Sequence, residues 1–213
     1  MTATLHCFAQ SGNAYKAALM LELCGQDWTP VFVDFFNGEA RSPDYAALNE
    51  MAEVPTYTEG DLRLTQSGVI LDYLAAKHRR YGPETEAERR EILRWTLWDN
   101  HKLTANLATG RFMQLFLPEK HRNPDVISFL MGRAKAAMAV LEQRLADSDW
   151  IVAGRPTTAD LSCIGYMYFL EEIDVDIAKT PHIARWRDRI AALPGWKHPY
   201  ELMPGHPLPG KET

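Results

Sequence analysis

Apolar and polar positions follow two different periods over the first eighty residues. Residues 4–8 (TLHCF) have the pattern of a strand, and apolar residues then recur at helical spacing over residues 14–24 until Gly25 ends the pattern. Residues 28–35 are rich in β-forming side chains, so the strands before and after this helix are expected to pair in parallel. The following patterns predict a short helix near residues 42–49, strands at 54–58 and 62–64, and a helix at about 66–80. The predicted order is β-α-β-α-β-β-α.

Strand patterns stop near residue 81. Glycine, proline and acidic residues predict a linker at residues 81–87. The remaining apolar spacing predicts only helices, at residues 86–117, 124–146, 158–172 and 181–193. The proline-rich segment that follows is expected to lie as extended chain. The sequence therefore predicts an α/β domain over residues 1–80 and an all-α domain with an extended tail over residues 88–213.

Composition excludes several classes of protein. The net charge of −5 at pH 7 argues against binding to nucleic acid. No signal sequence and no membrane span of about 18 apolar residues is visible, so we expect a cytoplasmic protein that does not bind membranes. Cys7, Cys24 and Cys163 are widely spaced, which is typical of reduced thiols rather than of disulfides or zinc ligands. The histidines also lack metal-ligand spacing, so no metal site is predicted.

Polar residues stand where the first strand gives way to the first helix. Ser11 and Asn13 flank Gly12 there, and their side chains can cap the N–H groups that the first turn of a helix leaves free. The same N–H groups, together with the positive end of the helix dipole, can instead hold an anion. These residues alone are consistent with both interpretations.

Two further pairs of residues lie at similar junctions. Val54 precedes Pro55 at the start of a strand, where either an ordinary trans bond or a cis bond that presents the Val54 backbone to a partner is possible. Gln66 and Ser67 follow a strand and open a helix, so they are either simple caps or a site for a carboxylate.

A capping box stands in the helical half. Thr157 and Asp160 are three residues apart before an apolar run, which is the spacing at which each side chain reaches the other's backbone N–H. We interpret both residues as structural.

Taken together, these features resemble the soluble glutathione transferase family over essentially the whole chain. The resemblance depends on the loop from Ser11 to Asn13, the Val54–Pro55 pair, the Gln66–Ser67 pair and the segment GRPTTADLSCIGY at residues 154–166. The chain resembles in particular the bacterial members in which a Ser or Asn contacts the thiol of glutathione. It implies a thioredoxin-like domain followed by an all-helical domain.

The resemblance also implies roles for residues of the first domain. Ser11 would hold the thiolate of glutathione, and Asn13 is the second candidate for that contact. The backbone of Val54, oriented by a cis bond to Pro55, would pair with the cysteinyl unit.

The ends of the tripeptide have candidates too. Gln66 and Ser67 would hold the γ-glutamyl carboxylate. Arg41 would meet the glycyl carboxylate, although a solvated surface charge is an equal alternative. Asp99 is the candidate for a carboxylate that reaches the γ-glutamyl amine across a dimer.

The electrophile pocket is assigned to Trp98, His101 and Phe112, which follow a helical pattern that is also typical of a core. Many relatives carry Asn-Pro-X-Gly before the Val-Pro pair, whereas residues 49–53 here are NEMAE. The proline and glycine are lost, and the charge of the added carboxylates Glu50 and Glu53 can repel an anionic ligand.

The function implied is a homodimeric glutathione transferase that acts in detoxification, with glutathione as co-substrate and no metal. It would conjugate the thiolate of glutathione to a small hydrophobic electrophile. One alternative is a glutathione-dependent peroxidase or disulfide reductase, and another is a non-catalytic binding or regulatory module.

Overall fold

The chain forms two compact units. In the computed structural model, which describes residues 2–208, one unit contains the chain up to Arg80 together with the chain from Pro194 onward, and the other spans Tyr81 to Leu193. The tail therefore groups with the α/β domain, whereas the sequence assigned it to the helical domain. The cause is a set of contacts between the tail and the first 25 residues, such as those from Gln10 to His206, which are 196 positions apart.

The first unit has the predicted β-α-β-α-β-β-α order, so the thioredoxin-like fold is confirmed. Its strands are β1 (Ala3–Cys7), β2 (Trp28–Phe32), β3 (Thr56–Glu59) and β4 (Leu62–Thr65). Its helices before the second unit are α1 (Gly12–Cys24), α2 (Pro43–Leu48) and α3 (Ser67–His78). Short 3-10 turns at Phe35–Asn37 and Glu39–Arg41 connect β2 to α2.

One mixed sheet organises this unit. The strand order is β2-β1-β3-β4, with β1 parallel to β2 and antiparallel to β3, and with β3 antiparallel to β4. Thr56 pairs with both His6 and Thr65, so the carboxyl ends of β1 and β4 lie at one edge with the amino end of β3. The sequence places its polar junctions directly after β1 and β4 and directly before β3, and the sheet therefore gathers them at this edge.

The second unit is helical. Its α-helices are α4 (Glu86–Trp98), α5 (Thr104–Leu115), α6 (Pro124–Arg144), α7 (Thr158–Cys163) and α8 (Pro181–Ala191). The predicted helix over residues 86–117 is divided by a π-helical turn at Asp99–Leu103, and the one over residues 158–172 continues after α7 as 3-10 helix at Ile164–Ile173. A 3-10 helix is wound more tightly than an α-helix and a π-helix more widely, but the spacing of apolar residues does not distinguish the three.

The capping box at the start of α7 is confirmed. Asp160 accepts the N–H of Thr157 at 2.8 Å, and both reciprocal bonds of the box are present. Its carboxylate also accepts the N–H of Ile151 and the indole N–H of Trp186, each at 2.9 Å. Asp160 and Trp186 are fully buried, so this network joins α7 to α8 inside the core.

The tail lies along α1 and contains a short helix, α9 (Pro199–Leu202), so the prediction of a wholly extended segment is wrong there. The hydroxyl of Tyr15 donates to the carbonyl of Lys197 at 3.0 Å. The predicted tail also includes residues 209–213, which lie outside the described residues. Among residues 2–208, every helix is too short or too polar to cross a bilayer.

Candidate functional site

Ser11 is the N-cap of α1 and follows a short turn after the carboxyl end of β1. Its hydroxyl oxygen accepts the N–H of Ala14 at 3.1 Å, so Ser11 does cap the helix. Within residues 2–208, the hydroxyl proton has no acceptor. Because a hydroxyl can accept and donate at once, capping and donation to an anion are compatible at this residue.

Asn13 lies in the first turn of the same helix and is half-buried. Its Oδ1 accepts the hydroxyl of Ser67 at 3.4 Å, which joins the first turns of α1 and α3. The amide nitrogen of Asn13 has no partner in the described part of the chain and is free to donate.

Gln66 and Ser67 form the junction between β4 and α3. Gln66 has a φ of 65° and its carbonyl accepts the N–H groups of Val69 and Ile70. This left-handed conformation turns the chain sharply, so that α3 begins at the same edge as α1. Ser67 is buried, and its N–H is one of those that a first helical turn leaves without an intrahelical acceptor.

The bond between Val54 and Pro55 is cis. Val54 stands just before β3, and in the described chain its N–H and C=O make no hydrogen bond. An extended ligand could therefore pair with this residue as an added strand would.

Glu53 lies beside this edge. Its carboxylate accepts the side-chain amide of Gln66 at 2.9 Å, and the same amide contacts the sulfur of Met51 at 3.1 Å. Both carboxylates suspected of repelling a ligand are exposed, and Glu53 is held by the side-chain amide of Gln66.

Arg41 ends the second 3-10 turn and is exposed. Within residues 2–208, it makes no hydrogen bond to Ser11, Asn13, Val54 or Ser67. Arg41 therefore lies on a loop apart from the other predicted glutathione contacts of this unit. The structure brings six predicted residues to one edge of the sheet: Ser11, Asn13, Val54, Pro55, Gln66 and Ser67.

The thiols of this unit are unsuited to act as nucleophiles. Burial raises the pKa of Cys7 to about 12, and its side chain points into the core from β1. Burial also raises the pKa of Cys24, at the far end of α1. A thiolate at this edge would have to belong to a ligand.

Asp99 is placed unfavourably for its predicted role. It is fully buried in the helical unit, where its carboxylate accepts the hydroxyls of Thr104 at 2.8 Å and Ser162 at 2.7 Å. Such a carboxylate fixes the π-helical turn and cannot reach a ligand without leaving the core, so we omit Asp99 from the site.

The three residues assigned to an electrophile pocket have different surroundings. Trp98 packs edge-on against Trp95 at 5.0 Å and lines a cavity of about 310 Å³ with residues of α5 and α6. His101 and Phe112 are exposed and lie outside that cavity.

Sequence reasoning gave no role to Gln10, which is almost fully buried next to Ser11. Its side-chain amide donates to the carbonyl of His206 at 2.6 Å and accepts the N–H of the same residue at 3.0 Å. The bond from Gln10 to His206 could not be predicted, because local sequence carries no signal for a partner 196 positions away.

Comparison with known proteins finds a match in each of the two units. The model of the glutathione S-transferase N-terminal domain matches residues 1–76, and that of the C-terminal domain matches residues 105–194. A crystal structure of a glutathione S-transferase from Xanthobacter autotrophicus has 31% identity and a TM-score of 0.85, covering 92% of this chain and 96% of the other.

Two other proteins are similar to this one over most of its length. The disulfide-bond oxidoreductase YfcG of Escherichia coli is 25% identical over 198 residues, which are 88% of this chain and 89% of the relative. A glutathione transferase homolog from Lodderomyces elongisporus, solved with two glutathione molecules per subunit, has 24% identity and a TM-score of 0.88. That match covers 96% of this chain and 100% of the other.

Proposed function

Because the chain belongs to the glutathione S-transferase family, we propose that it binds glutathione at the edge formed by β1, β3 and β4 and transfers the thiolate to a small hydrophobic electrophile. The observation that carries this proposal is the unused hydroxyl proton of Ser11 at the amino end of α1. Two further observations support it. Ser67 donates a hydrogen bond to Asn13, and within residues 2–208 the N–H and C=O of Val54 make no hydrogen bond.

Each part of the tripeptide has a suitable partner here. The γ-glutamyl carboxylate would accept the N–H and the hydroxyl of Ser67 and lie at the positive end of α3, with Gln66 beside it. The cysteinyl backbone would pair with Val54, whose N–H and C=O are both available. The sulfur would then lie near Ser11, with the amide of Asn13 as a second donor.

The free energy required for thiolate formation is within reach of these groups. A free thiol has a pKa of about 8.5, and lowering it to about 6.5 requires about 2.7 kcal/mol. A hydrogen bond to a charged acceptor contributes about 1.5 to 3 kcal/mol, and a helix amino terminus about 0.3 to 1 kcal/mol more. Ser11 and the dipole of α1 would together supply the required amount.

In the reaction, the thiol proton passes to solvent and the sulfur lone pair forms a bond to the electrophilic carbon. The leaving group departs with the electron pair of the bond that breaks. Trp98, His101 and Phe112 stay candidates for contact with the electrophile, and Arg41 stays the candidate for the glycyl carboxylate.

A second candidate function is reduction of disulfides. The similarity to YfcG favours it, and the buried state of Cys7 requires that glutathione supply the reducing thiols. Two glutathione molecules would reduce one disulfide to two thiols and leave as glutathione disulfide.

We further propose a homodimer. α4 exposes Leu93 and Leu97, one turn apart, with 50% and 62% of their surface accessible. Apolar residues so placed on a charged helix are suited to pack against a second copy. A measurement of mass in solution by light scattering tests this directly, and Leu97→Glu should shift the species toward a monomer.

A cytoplasmic location stays a prediction.

Product analysis tests the function. The protein is mixed with glutathione and either a nitro-activated aryl halide or a small disulfide. Formation of an aryl thioether with release of halide supports transfer, and formation of glutathione disulfide supports reduction. Binding of glutathione without either product would contradict both activities and favour a non-catalytic module.

A further inference from the structure

The loop that carries Ser11 is a β-turn held from outside by the tail. The N–H of Ser11 donates to the carbonyl of Phe8 at 3.0 Å, so Ala9 and Gln10 are the two central residues of the turn. Any change in the conformation of those two residues moves Ser11, because Ser11 is the fourth residue of the turn.

Both central residues are bonded to the tail. The N–H of Ala9 donates to the carbonyl of Pro204 at 2.7 Å. The side-chain amide of Gln10 makes two bonds to the backbone of His206, at 2.6 and 3.0 Å. The turn is thus fixed by three hydrogen bonds that come from residues 204–206.

Gly205 permits this close approach. A Cβ atom at this position would lie 2.7 Å from the Cβ of Ala9 and 2.8 Å from the Oε1 of Gln10. Neither neighbour can yield without displacing the turn, since one is a Cβ fixed to the backbone and the other makes the bond to His206.

The ring of His206 packs against aromatic side chains and fixes the end of residues 204–206. It packs at 4.3 Å from the ring of Phe36, 5.1 Å from Phe32 and 5.6 Å from Phe8, and its Nδ1 is 3.5 Å from a carboxylate oxygen of Asp34. Burial lowers the pKa of His206, so the ring packs as a neutral aromatic group at neutral pH. Phe8, which packs edge-on against the ring of His206, is itself the first residue of the turn.

We propose that residues 204–206 position Ser11 for thiolate stabilisation, with Gln10 and Gly205 as positioning residues. This inference rests on the proposed function, since it concerns the same hydroxyl. Its mechanism is preorganisation: a donor that is already fixed loses no further conformational freedom when the sulfur becomes charged.

The test is a pH titration of the thiolate absorbance of bound glutathione, made on the full chain and on two variants. Gln10→Ala removes the side-chain clamp, and Gly205→Ala adds the obstructing Cβ from the tail. Matched controls are Gln26→Ala, which loses partly buried side-chain hydrogen bonds to Tyr57 and His78, and Gly154→Ala, whose added Cβ meets nothing within 4 Å. A chain ending at Met203 is a third variant, for use if either substitution disturbs folding by circular dichroism.

In the expected result, Gln10→Ala and Gly205→Ala raise the thiol pKa of bound glutathione so that the thiolate fraction at pH 7 falls about three- to tenfold. The value of kcat falls by the same factor at pH 7 and recovers at pH 9, whereas KM for glutathione changes less than about twofold. A purely structural role would not produce recovery at high pH. Both controls should match the unaltered protein.

Three results would overturn the inference, and failure of the inference alone is distinguishable from failure of the proposed function. If the unaltered protein lowers the thiol pKa and both tail variants do the same, the tail does not position Ser11. If Gln10→Ala raises the thiol pKa and Gly205→Ala does not, Gln10 acts independently of the tail, and the tail again does not position Ser11. If the unaltered protein itself leaves the thiol pKa at its free value, the proposed function fails as well.

Discussion

The hydroxyl of Ser67 donates to the side-chain oxygen of Asn13 across 3.4 Å. This contact links the first turns of α1 and α3, which follow different strands and are 54 positions apart in sequence. Two helix amino termini and their free N–H groups thus converge at one edge of the sheet. In the proposed function, this convergence would provide two anion-binding positions, one for the γ-glutamyl carboxylate and one for the sulfur of glutathione.

Replacement of Ser67 tests the carboxylate position. Ser67→Ala should weaken glutathione binding about tenfold to a hundredfold, because a hydrogen bond to a charged group contributes about 1.5 to 3 kcal/mol. Calorimetric titration with glutathione and with cysteinylglycine, which lacks the γ-glutamyl unit, makes the comparison. A similar loss for both peptides would show that Ser67 does not contact the γ-glutamyl carboxylate.

Arg41 permits a similar test at the other end of the peptide. Arg41→Ala should weaken glutathione binding up to about fivefold, as expected for an exposed ion pair, without affecting γ-glutamylcysteine. Arg63→Ala is the control, because Arg63 is an exposed arginine of the same unit that is bonded to the carbonyl of Ala47. Equal affinities for Arg41→Ala and the unaltered protein would leave Arg41 as a solvated surface charge.

The sequence predicted the order of elements and the polar junctions well, because both depend on local signals. Apolar spacing and Gly25 define α1, and the capping box of Thr157 and Asp160 marks the start of α7. The placement of Asp99 could not be predicted, because its burial depends on hydroxyls of Thr104 and Ser162 that only the packed helices bring together. The tail contact with Gln10 also depends entirely on tertiary structure.

Acid stability provides a test of the first unit. The carboxylate of Glu59 accepts Lys77 at 2.5 Å and the hydroxyls of Tyr57 and Tyr73, and the bond from Lys77 is the main cause that lowers the pKa of Glu59 below its ordinary value of 4.5. A lowered folded-state pKa means that this stabilisation is complete above about pH 4.5 and is lost as the pH falls through the folded-state value.

Glu59→Gln should therefore reduce the free energy of unfolding at pH 7 and flatten its decline below about pH 4.5. Urea titrations at several pH values measure both effects. Glu201→Gln, at an exposed carboxylate of the same unit, should retain the full decline. An unchanged pH dependence in Glu59→Gln would contradict the assignment.

The buried network around Asp160 should dominate the stability of the helical unit. Asp160→Ala would leave the N–H groups of Thr157 and Ile151 and the indole of Trp186 without their acceptor, at a cost of about 3 to 5 kcal/mol. Chemical denaturation measures the loss, and Asp72→Ala, at an exposed position of α3, should stay within about 0.5 kcal/mol. A loss below about 1 kcal/mol would show that water replaces the carboxylate there.

The most direct test of the account is the pKa of the thiol of bound glutathione in Ser11→Ala, measured by thiolate absorbance. Ser42→Ala is the matched control, because Ser42 caps α2 in the same way and donates nothing to the site. If Ser11 holds the thiolate, the pKa of the thiol is about 6.5 in the unaltered protein and in Ser42→Ala. In Ser11→Ala it rises to near the free value of about 8.5. A lowered pKa that persists in Ser11→Ala would contradict the central role of Ser11 and transfer it to Asn13 or to the helix dipole.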